Sequence, residues 1–204
     1  MEMHSKLQPM DLFNKYKDIY AESFIINPKE SDNGYSVVMT EKDRSATLRR
    51  VTVFNVPKDT ILLSMQDYSE MKHGNKMKSI LKPGPGIFRC CDYVLISVYE
   101  KKIYLIFIEM KSSVAMTSGV DMQFKGASCI LEYCHAIIEH FYDMPSIRLS
   151  TLDTRYVFIY GVTSDKRPTK NRGYGNISTP SAYIKIRLPI RKNAGSIRFS
   201  ALLE

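Results

Sequence analysis

Two ionisable residues stand at the end of an apolar run that is expected to form a buried strand. Residues 103 to 108 read IYLIFI without a break, and Glu109 and Lys111 follow directly. Successive side chains of a strand alternate between its two faces, so Glu109 and Lys111 share one face while Met110 points to the other. Burying an isolated charge is strongly unfavourable, and these two side chains therefore need partners.

The partner that the sequence offers is Asp92, which begins the preceding apolar segment. The segments at 93–99 and 103–108 are separated by the polar residues 100–102, which predict the tight turn of a β-hairpin. In an antiparallel hairpin, the beginning of the first strand lies opposite the end of the second. We therefore predict that the side chains of Asp92 and Glu109 approach each other.

Two carboxylates held this close repel each other unless one is protonated or a cation lies between them. Carboxylate oxygens, with the backbone carbonyl of Met110 as a further ligand, are the hard donors that Mg²⁺ or Mn²⁺ prefers. Such an ion lowers the pKa of a bound water and neutralises charge on a phosphoryl oxygen, and Lys111 can orient that water. Asp92, Glu109 and Lys111 together thus predict metal-assisted hydrolysis of a phosphodiester.

The same residues resemble the core of a known superfamily. Asp92, a spacer of sixteen residues and the triplet EMK at 109–111 lie at the end of an apolar strand and before a predicted helix. This arrangement is similar to that of the PD-(D/E)xK nucleases, over about residues 87–162. The resemblance implies a restriction-endonuclease-like α/β (α+β) fold, in which helices flank a mixed central β-sheet. It also implies Asp92 and Glu109 as metal ligands and Lys111 as the residue that orients water.

Three further positions bear on the resemblance. Gln123, early in the predicted helix, resembles a glutamine near the active site in several branches of the superfamily. The superfamily has a proline before the aspartate, and this chain has Cys91 at that position. Many members also have a glutamate in an N-terminal helix, for which the candidates here are Glu22 and Glu70. The triplet EMK also recurs at 70–72, but without an apolar strand or a paired aspartate, and is predicted to be a solvated helix or loop.

The elements that must position these residues follow from periodicity and turn signals. The order is helix, strands, hairpin, helix, strand and a loop-rich tail with a final strand. The predicted ranges are an amphipathic helix at 11–26, strand-like segments within 35–65, a helix at 121–145, and strands at 154–164 and 181–190.

Length and composition favour one globular domain over residues 1–204, with 44% hydrophobic and 25% charged residues. We divide it into an N-terminal helix and strands at 1–80, a catalytic core at 87–162 and a basic tail at 164–204. No apolar run approaches the roughly 20 residues that span a bilayer, and no signal-peptide layout opens the chain. A cytoplasmic location and no membrane partner are expected, with the four cysteines as reduced core residues without zinc-site spacing.

The net charge of +8 is concentrated near the C-terminus. From Ser164 onward, nine basic residues face two acidic ones, which leaves +7 in that segment. Such a surface favours a polyanion, so nucleic acid is the expected partner, with a solvated edge as the alternative. The predicted phosphate contacts are Lys166, Arg167, Lys170, Arg172, Lys185, Arg187, Arg191 and Lys192.

Three functions remain open on the sequence. The first is a metal-dependent nuclease, for which the resemblance favours DNA over RNA and a role in defence, repair or mobile-element biology. The second is a catalytically weak nucleic-acid-binding or regulatory subunit that keeps the nuclease-like fold. The third is an interaction subunit whose basic edge meets an acidic protein partner, and a homodimer also remains open.

Overall fold

The computed structural model describes residues 8–32, 34–65, 89–162, 170–171 and 179–204. Helices and runs of consecutive strands both form along these segments, which confirms the predicted α+β class. The helices are α1 (Pro9–Ile19), α2 (Val120–Phe141) and α3 (Ser200–Leu203). The strands are β1 (Ile25–Ile26), β2 (Lys29–Ser31), β3 (Gly34–Thr40), β4 (Arg50–Val56), β5 (Thr60–Ser64), β6 (Tyr93–Tyr99), β7 (Lys102–Lys111), β8 (Asp153–Val162), β9 (Lys170–Asn171), β10 (Ile184–Pro189) and β11 (Ala194–Arg198).

The strands form two sheets, both of mixed direction. The larger sheet has seven strands in the order β1-β5-β6-β7-β8-β10-β9, and the smaller has the order β11-β4-β3-β2. In the larger sheet β7, β8 and β10 are parallel, and β5 runs the same way because it and β7 are both antiparallel to β6. The mixed central sheet was predicted from the resemblance, whereas the second sheet was not expected.

Alternation along the central strands creates two cores, one on each face of the larger sheet. On β7, Leu105 and Phe107 belong to the core that α1 and α2 complete, together with Phe124. Ile106 and Ile108 belong to the other core, which the smaller sheet covers. The odd-numbered face of β7 is thus the helix-covered face, and Glu109 and Lys111 continue it to the end of the strand.

The hairpin of β6 and β7 lies where it was predicted, but its turn is one residue shorter than the predicted 100–102, because Lys102 already pairs in β7. Its turn residues Glu100 and Lys101 have φ values of 48° and 60°, as a two-residue type I′ turn requires. The pairing runs from Tyr99 opposite Lys102 to Tyr93 opposite Ile108. One more step in this register places residue 92 opposite residue 109.

The predicted N-terminal helix is too long. The helix ends at Ile19, and Tyr20 has extended backbone with ψ 136°. A 3₁₀ turn at Glu22–Phe24 follows, and then Ile25 and Ile26 pair with β5 as an edge strand. Two adjacent β-branched residues gain more from pairing with the apolar strand β5 than from a further helical turn.

Two remaining predictions concern the cysteines and the membrane. The four cysteines are free, and Cys91 and Cys134 are buried as expected. Cys129 is exposed on α2, so its prediction as a core residue is wrong. Within the described segments, no helix is long and apolar enough to cross a membrane.

Candidate active site

The hairpin brings Asp92 and Glu109 together at one edge of the larger sheet. This edge holds the carboxyl ends of the parallel strands β5, β7, β8 and β10. Glu109 has 0% of its surface exposed and Asp92 has 9%, so both carboxyl groups are withdrawn from bulk water. The predicted approach of the two residues is confirmed.

Backbone hydrogen bonds hold the two carboxyl groups reciprocally. The N–H of Asp92 donates to Oε2 of Glu109 at 3.1 Å. The N–H of Met110 donates to Oδ2 of Asp92 at 2.7 Å. Each carboxyl group therefore accepts a hydrogen bond from the main chain of the opposite arm of the hairpin.

Two more side chains contact the other oxygen of Glu109. The ammonium of Lys111 forms an ion pair with Oε1, and Nε2 of Gln123 donates to the same atom at 2.7 Å. Gln123 lies in the first turn of α2, which begins after Gly119 in a left-handed conformation with φ 80°. The structure thus places the four predicted residues Asp92, Glu109, Lys111 and Gln123 in one cluster.

The electrostatics of the cluster centre on Glu109. Burial raises the pKa of its carboxyl from 4.5 to about 8, and the charge of Asp92 adds to that rise. Lys111 and Gln123 oppose the rise only in part. The pKa of Lys111 itself is raised, because the nearby charges of Glu109, Asp92 and Glu41 outweigh the loss of hydration, so its ammonium persists at neutral pH.

The donor set fits a hard divalent cation that keeps most of its other ligands as water. Within the described part of the chain, no three His, Cys, Asp or Glu residues are arranged to hold an ion, so a cage made only of protein side chains is not present there. Mg²⁺ commonly uses one or two carboxylates together with waters and substrate phosphates. A cation beside Asp92 and Glu109 would remove the repulsion that raises the pKa of Glu109.

Met110 can take part only through its backbone. Its side chain is 1% exposed and packs in the core under the smaller sheet, on the opposite face from Glu109. Its N–H is already bonded to Asp92. The predicted role of the Met110 carbonyl as a metal ligand stays a prediction.

The smaller sheet contributes residues that the sequence did not reveal. The backbone N–H of Thr40 donates to the hydroxyl of Tyr93 at 2.9 Å, and that hydroxyl donates to the carbonyl of Thr40 at 2.7 Å. The charge of the following residue, Glu41, contributes to the raised pKa of both Tyr93 and Lys111. The end of β3 therefore lies beside the candidate site, although its residues are more than 50 positions from Asp92 in the chain.

Two of the predicted phosphate contacts lie on the same face of the sheet as the cluster. Lys185 on β10 pairs with Phe158, which pairs with Glu109 on β7. Arg187 likewise pairs with Tyr160, which pairs with Lys111 on β7. Two strand spacings separate the main chain of these two residues from that of Glu109 and Lys111 by about 10 Å.

The other predicted contacts are distributed differently. Arg191 and Lys192 are exposed beyond the end of β10. Lys170 lies in β9, which pairs with β10, whereas Lys166, Arg167 and Arg172 fall outside the described residues. The same applies to the second EMK triplet at 70–72, with Glu70. Glu22 lies exposed in the 3₁₀ turn that precedes β1.

No family model, no curated protein and no solved structure matches this chain. Its function is therefore inferred from the geometry of the cluster, the charge of its surroundings and the resemblance of its motif.

Proposed function

We propose that this protein is a divalent-metal-dependent nuclease of the PD-(D/E)xK type, with DNA as the favoured substrate. The observation that carries the proposal is the buried pair Asp92 and Glu109, with Lys111 and Gln123 on the same carboxyl group. The ammonium of Lys111 offsets the repulsion of the two buried carboxyl groups only in part, and the repulsion that is left favours a further cation beside them.

In this proposal Asp92 and Glu109 hold Mg²⁺ or Mn²⁺. When bound, the ion supplies a water of lowered pKa and positive charge for the phosphoryl oxygen. Lys111, whose ammonium persists at neutral pH, orients the attacking water and donates to the developing negative charge. Gln123 holds the carboxyl group of Glu109 in place from the first turn of α2.

The surroundings favour a polyanionic substrate. Lys185 and Arg187 lie on the cluster's own face of the sheet, where they can neutralise phosphates that flank the cleaved bond. Such contacts position the backbone without reading bases. The preference for DNA, a role in defence or mobile-element biology and a cytoplasmic location come from the resemblance and from composition, and they remain parts of the proposal.

The test is cleavage of supercoiled plasmid and of single-stranded RNA, each with Mg²⁺, Mn²⁺ or EDTA. The wild-type protein should cleave in either metal and not in EDTA. Asp92→Asn and Lys111→Ala should lower the rate by about 100-fold or more, the scale of losing one preorganised electrostatic group. Lys72→Ala, in the second EMK triplet, is the matched control and should cleave like the wild type.

A different outcome would favour the second candidate, a nucleic-acid-binding or regulatory subunit. The observation on its side is that Oε1 and Oε2 of Glu109 are already engaged by Lys111, Gln123 and the N–H of Asp92. Binding without cleavage in either metal would support that candidate. Cleavage that continues in EDTA, or in Asp92→Asn, would contradict a metal site at this pair.

A further inference from the structure

A cationic cavity lies next to the candidate active site, on the side of the smaller sheet. Its volume is about 320 Å³, and its lining includes Thr40, Glu41, Arg49, Arg50, Lys192 and Asn193. The three cations come from two distant parts of the chain, the start of β4 and the turn between β10 and β11. We call this cavity the Arg49–Lys192 pocket.

Backbone hydrogen bonds fix the walls of the pocket. The N–H groups of Arg49 and Arg50 both donate to the carbonyl of Asn193, at 2.9 and 3.1 Å. The N–H of Glu41 donates to the carbonyl of Arg49 at 2.9 Å. Lys192 and Asn193 have φ values of 49° and 62°, which defines a tight two-residue turn. The cationic side chains therefore project from a rigid main-chain frame.

The charges of the pocket favour an anion. Three cations face one lining carboxylate, that of Glu41. Within the part of the chain that is described, no ion pair includes Arg49, Arg50 or Lys192. The neighbouring acid Asp43 is bonded to the N–H and hydroxyl of Ser45, and the charge of Arg49 also helps to lower the pKa of its carboxyl. Convergent cations of this kind match the charge and the several acceptor oxygens of a phosphate group.

The position of the pocket links it to the carboxyl cluster. Thr40, in the pocket wall, is bonded through both its backbone groups to the hydroxyl of Tyr93, which follows Asp92 in the chain. The charge of Glu41 acts on Lys111. The N–H of Ile190, just before the pocket turn, donates to the carbonyl of Val162 at the carboxyl end of β8. Pocket and cluster thus share one edge of the larger sheet.

We propose that the Arg49–Lys192 pocket binds a phosphate group of the same nucleic-acid strand that is cleaved at Asp92 and Glu109. This inference rests on the proposed function and assigns it a second phosphate subsite. The volume equals that of about ten water molecules, enough for a phosphate and its sugar. Because backbone phosphates carry no base information, the subsite sets the position of the strand and not its sequence.

Binding of a fluorescein-labelled oligonucleotide in EDTA, measured by anisotropy over a series of salt concentrations, tests the subsite without any cleavage. Arg50→Gln and Lys192→Gln should each weaken binding by about 5- to 10-fold at low salt and flatten the log-affinity against log-salt plot by about one unit. Both residues are exposed and the frame uses only their main chain, so the variants keep its hydrogen bonds.

Arg198→Gln is the matched control for Arg50→Gln. Arg50 pairs with Ala194 at one end of the β4–β11 ladder, and Arg198 pairs with Phe54 at the other. The four intervening steps separate them by about 13 Å, so the control removes the same charge from the same sheet outside the pocket. Its affinity should stay within about twofold of the wild type, with an unchanged salt slope.

Glu41→Gln should change the affinity for the oligonucleotide in the opposite direction. Removing the single lining carboxylate should tighten oligonucleotide binding severalfold, whereas a merely structural role of Glu41 would weaken it or leave it unchanged. Oligonucleotides with a 5′-phosphate and with a 5′-hydroxyl distinguish the two sources of the group. If Arg50→Gln weakens binding of both oligonucleotides, the pocket binds an internal phosphodiester. If it weakens binding of the 5′-phosphorylated oligonucleotide alone, the pocket binds a terminal phosphate.

Unchanged affinity and salt slope in both Arg50→Gln and Lys192→Gln would overturn the subsite, as would an equal loss in Arg198→Gln. These binding measurements test the subsite independently of the proposed nuclease activity, because binding in EDTA does not depend on catalysis. A protein that binds through the pocket but never cleaves would contradict the nuclease and keep the subsite.

Discussion

Replacing Glu109 with glutamine should remove most of the pH dependence of stability that the buried carboxyl pair creates. The pKa of Glu109 is raised from 4.5 to about 8 in the folded protein, first by burial and then by the charge of Asp92. Between those two pH values, the folded protein keeps a proton that the unfolded chain releases. The free energy of unfolding of the metal-free wild type should therefore fall as the pH rises from about 5 to 8.

The size of the effect follows from the linkage between pKa and stability. The slope cannot exceed about 1.4 kcal/mol per pH unit for one proton, which limits the loss across the window to about 4 to 5 kcal/mol. Asp92 shares the repulsion, so the proton is held by the pair and the slope is shallower than this limit. We expect Glu109→Gln to remove about 2 to 4 kcal/mol of the change, since its amide carries no titrating proton.

The assay is urea unfolding in EDTA at pH 5, 6.5 and 8, for the wild type and for Glu109→Gln. Titrating groups outside the cluster, including His135 with its lowered pKa, contribute equally to both proteins and cancel in the difference. Glu30→Gln, which changes an exposed glutamate on β2, is the control and should follow the wild type. Equal pH dependence in the wild type and Glu109→Gln would refute the buried, repelled carboxyl pair.

Three further predictions concern metal, substrate and backbone. In differential scanning calorimetry, Mg²⁺ or Mn²⁺ at 100 times its Kd should stabilise the protein by about 2.7 kcal/mol. Asp92→Asn should lose that response and, above pH 8, where Glu109 is ionised, be more stable in EDTA by about 1 kcal/mol or more, the scale of a close like-charge pair. Lys185→Gln with Arg187→Gln should flatten the salt dependence of nucleic-acid binding by up to about two units, and an unchanged slope would exclude both from the interface. Gly126→Ala should destabilise the fold by about 1 to 3 kcal/mol in urea unfolding and lower the cleavage rate, because its Cβ would collide with the carbonyl oxygen of Arg89, three residues before Asp92. Unaltered stability and cleavage would contradict that close approach.

The carboxyl cluster was predictable because its geometry is local. Strand alternation fixes the shared face of Glu109 and Lys111, and a tight turn at 100–101 fixes the register that sets Asp92 opposite Glu109. The inferences about Asp92, Glu109 and Lys111 span a single turn of chain, and turn chemistry together with a period of two is sufficient for them. Gln123 was predicted only from the resemblance, as an early residue of the helix that begins after Gly119.

The second sheet and its pocket were not predictable in the same way. Its β11 strand pairs Ala194 with Arg50, which lies more than 140 residues earlier in the chain. No local pattern specifies such a partner, because a parallel pairing is decided by which apolar faces meet after the central sheet has formed. In the sequence, nothing distinguishes Glu41 and Arg49 from other charged surface residues. The fold nevertheless places both in the Arg49–Lys192 pocket.

The most direct test of the account is a crystal of the metal-free protein soaked in Mn²⁺ and measured at a wavelength where manganese scatters anomalously. We expect an anomalous peak coordinated by carboxylate oxygens of both Asp92 and Glu109, absent from an identically soaked crystal of Asp92→Asn. Manganese peaks elsewhere on the molecule, with none at this pair under saturating Mn²⁺, would contradict the proposed metal centre.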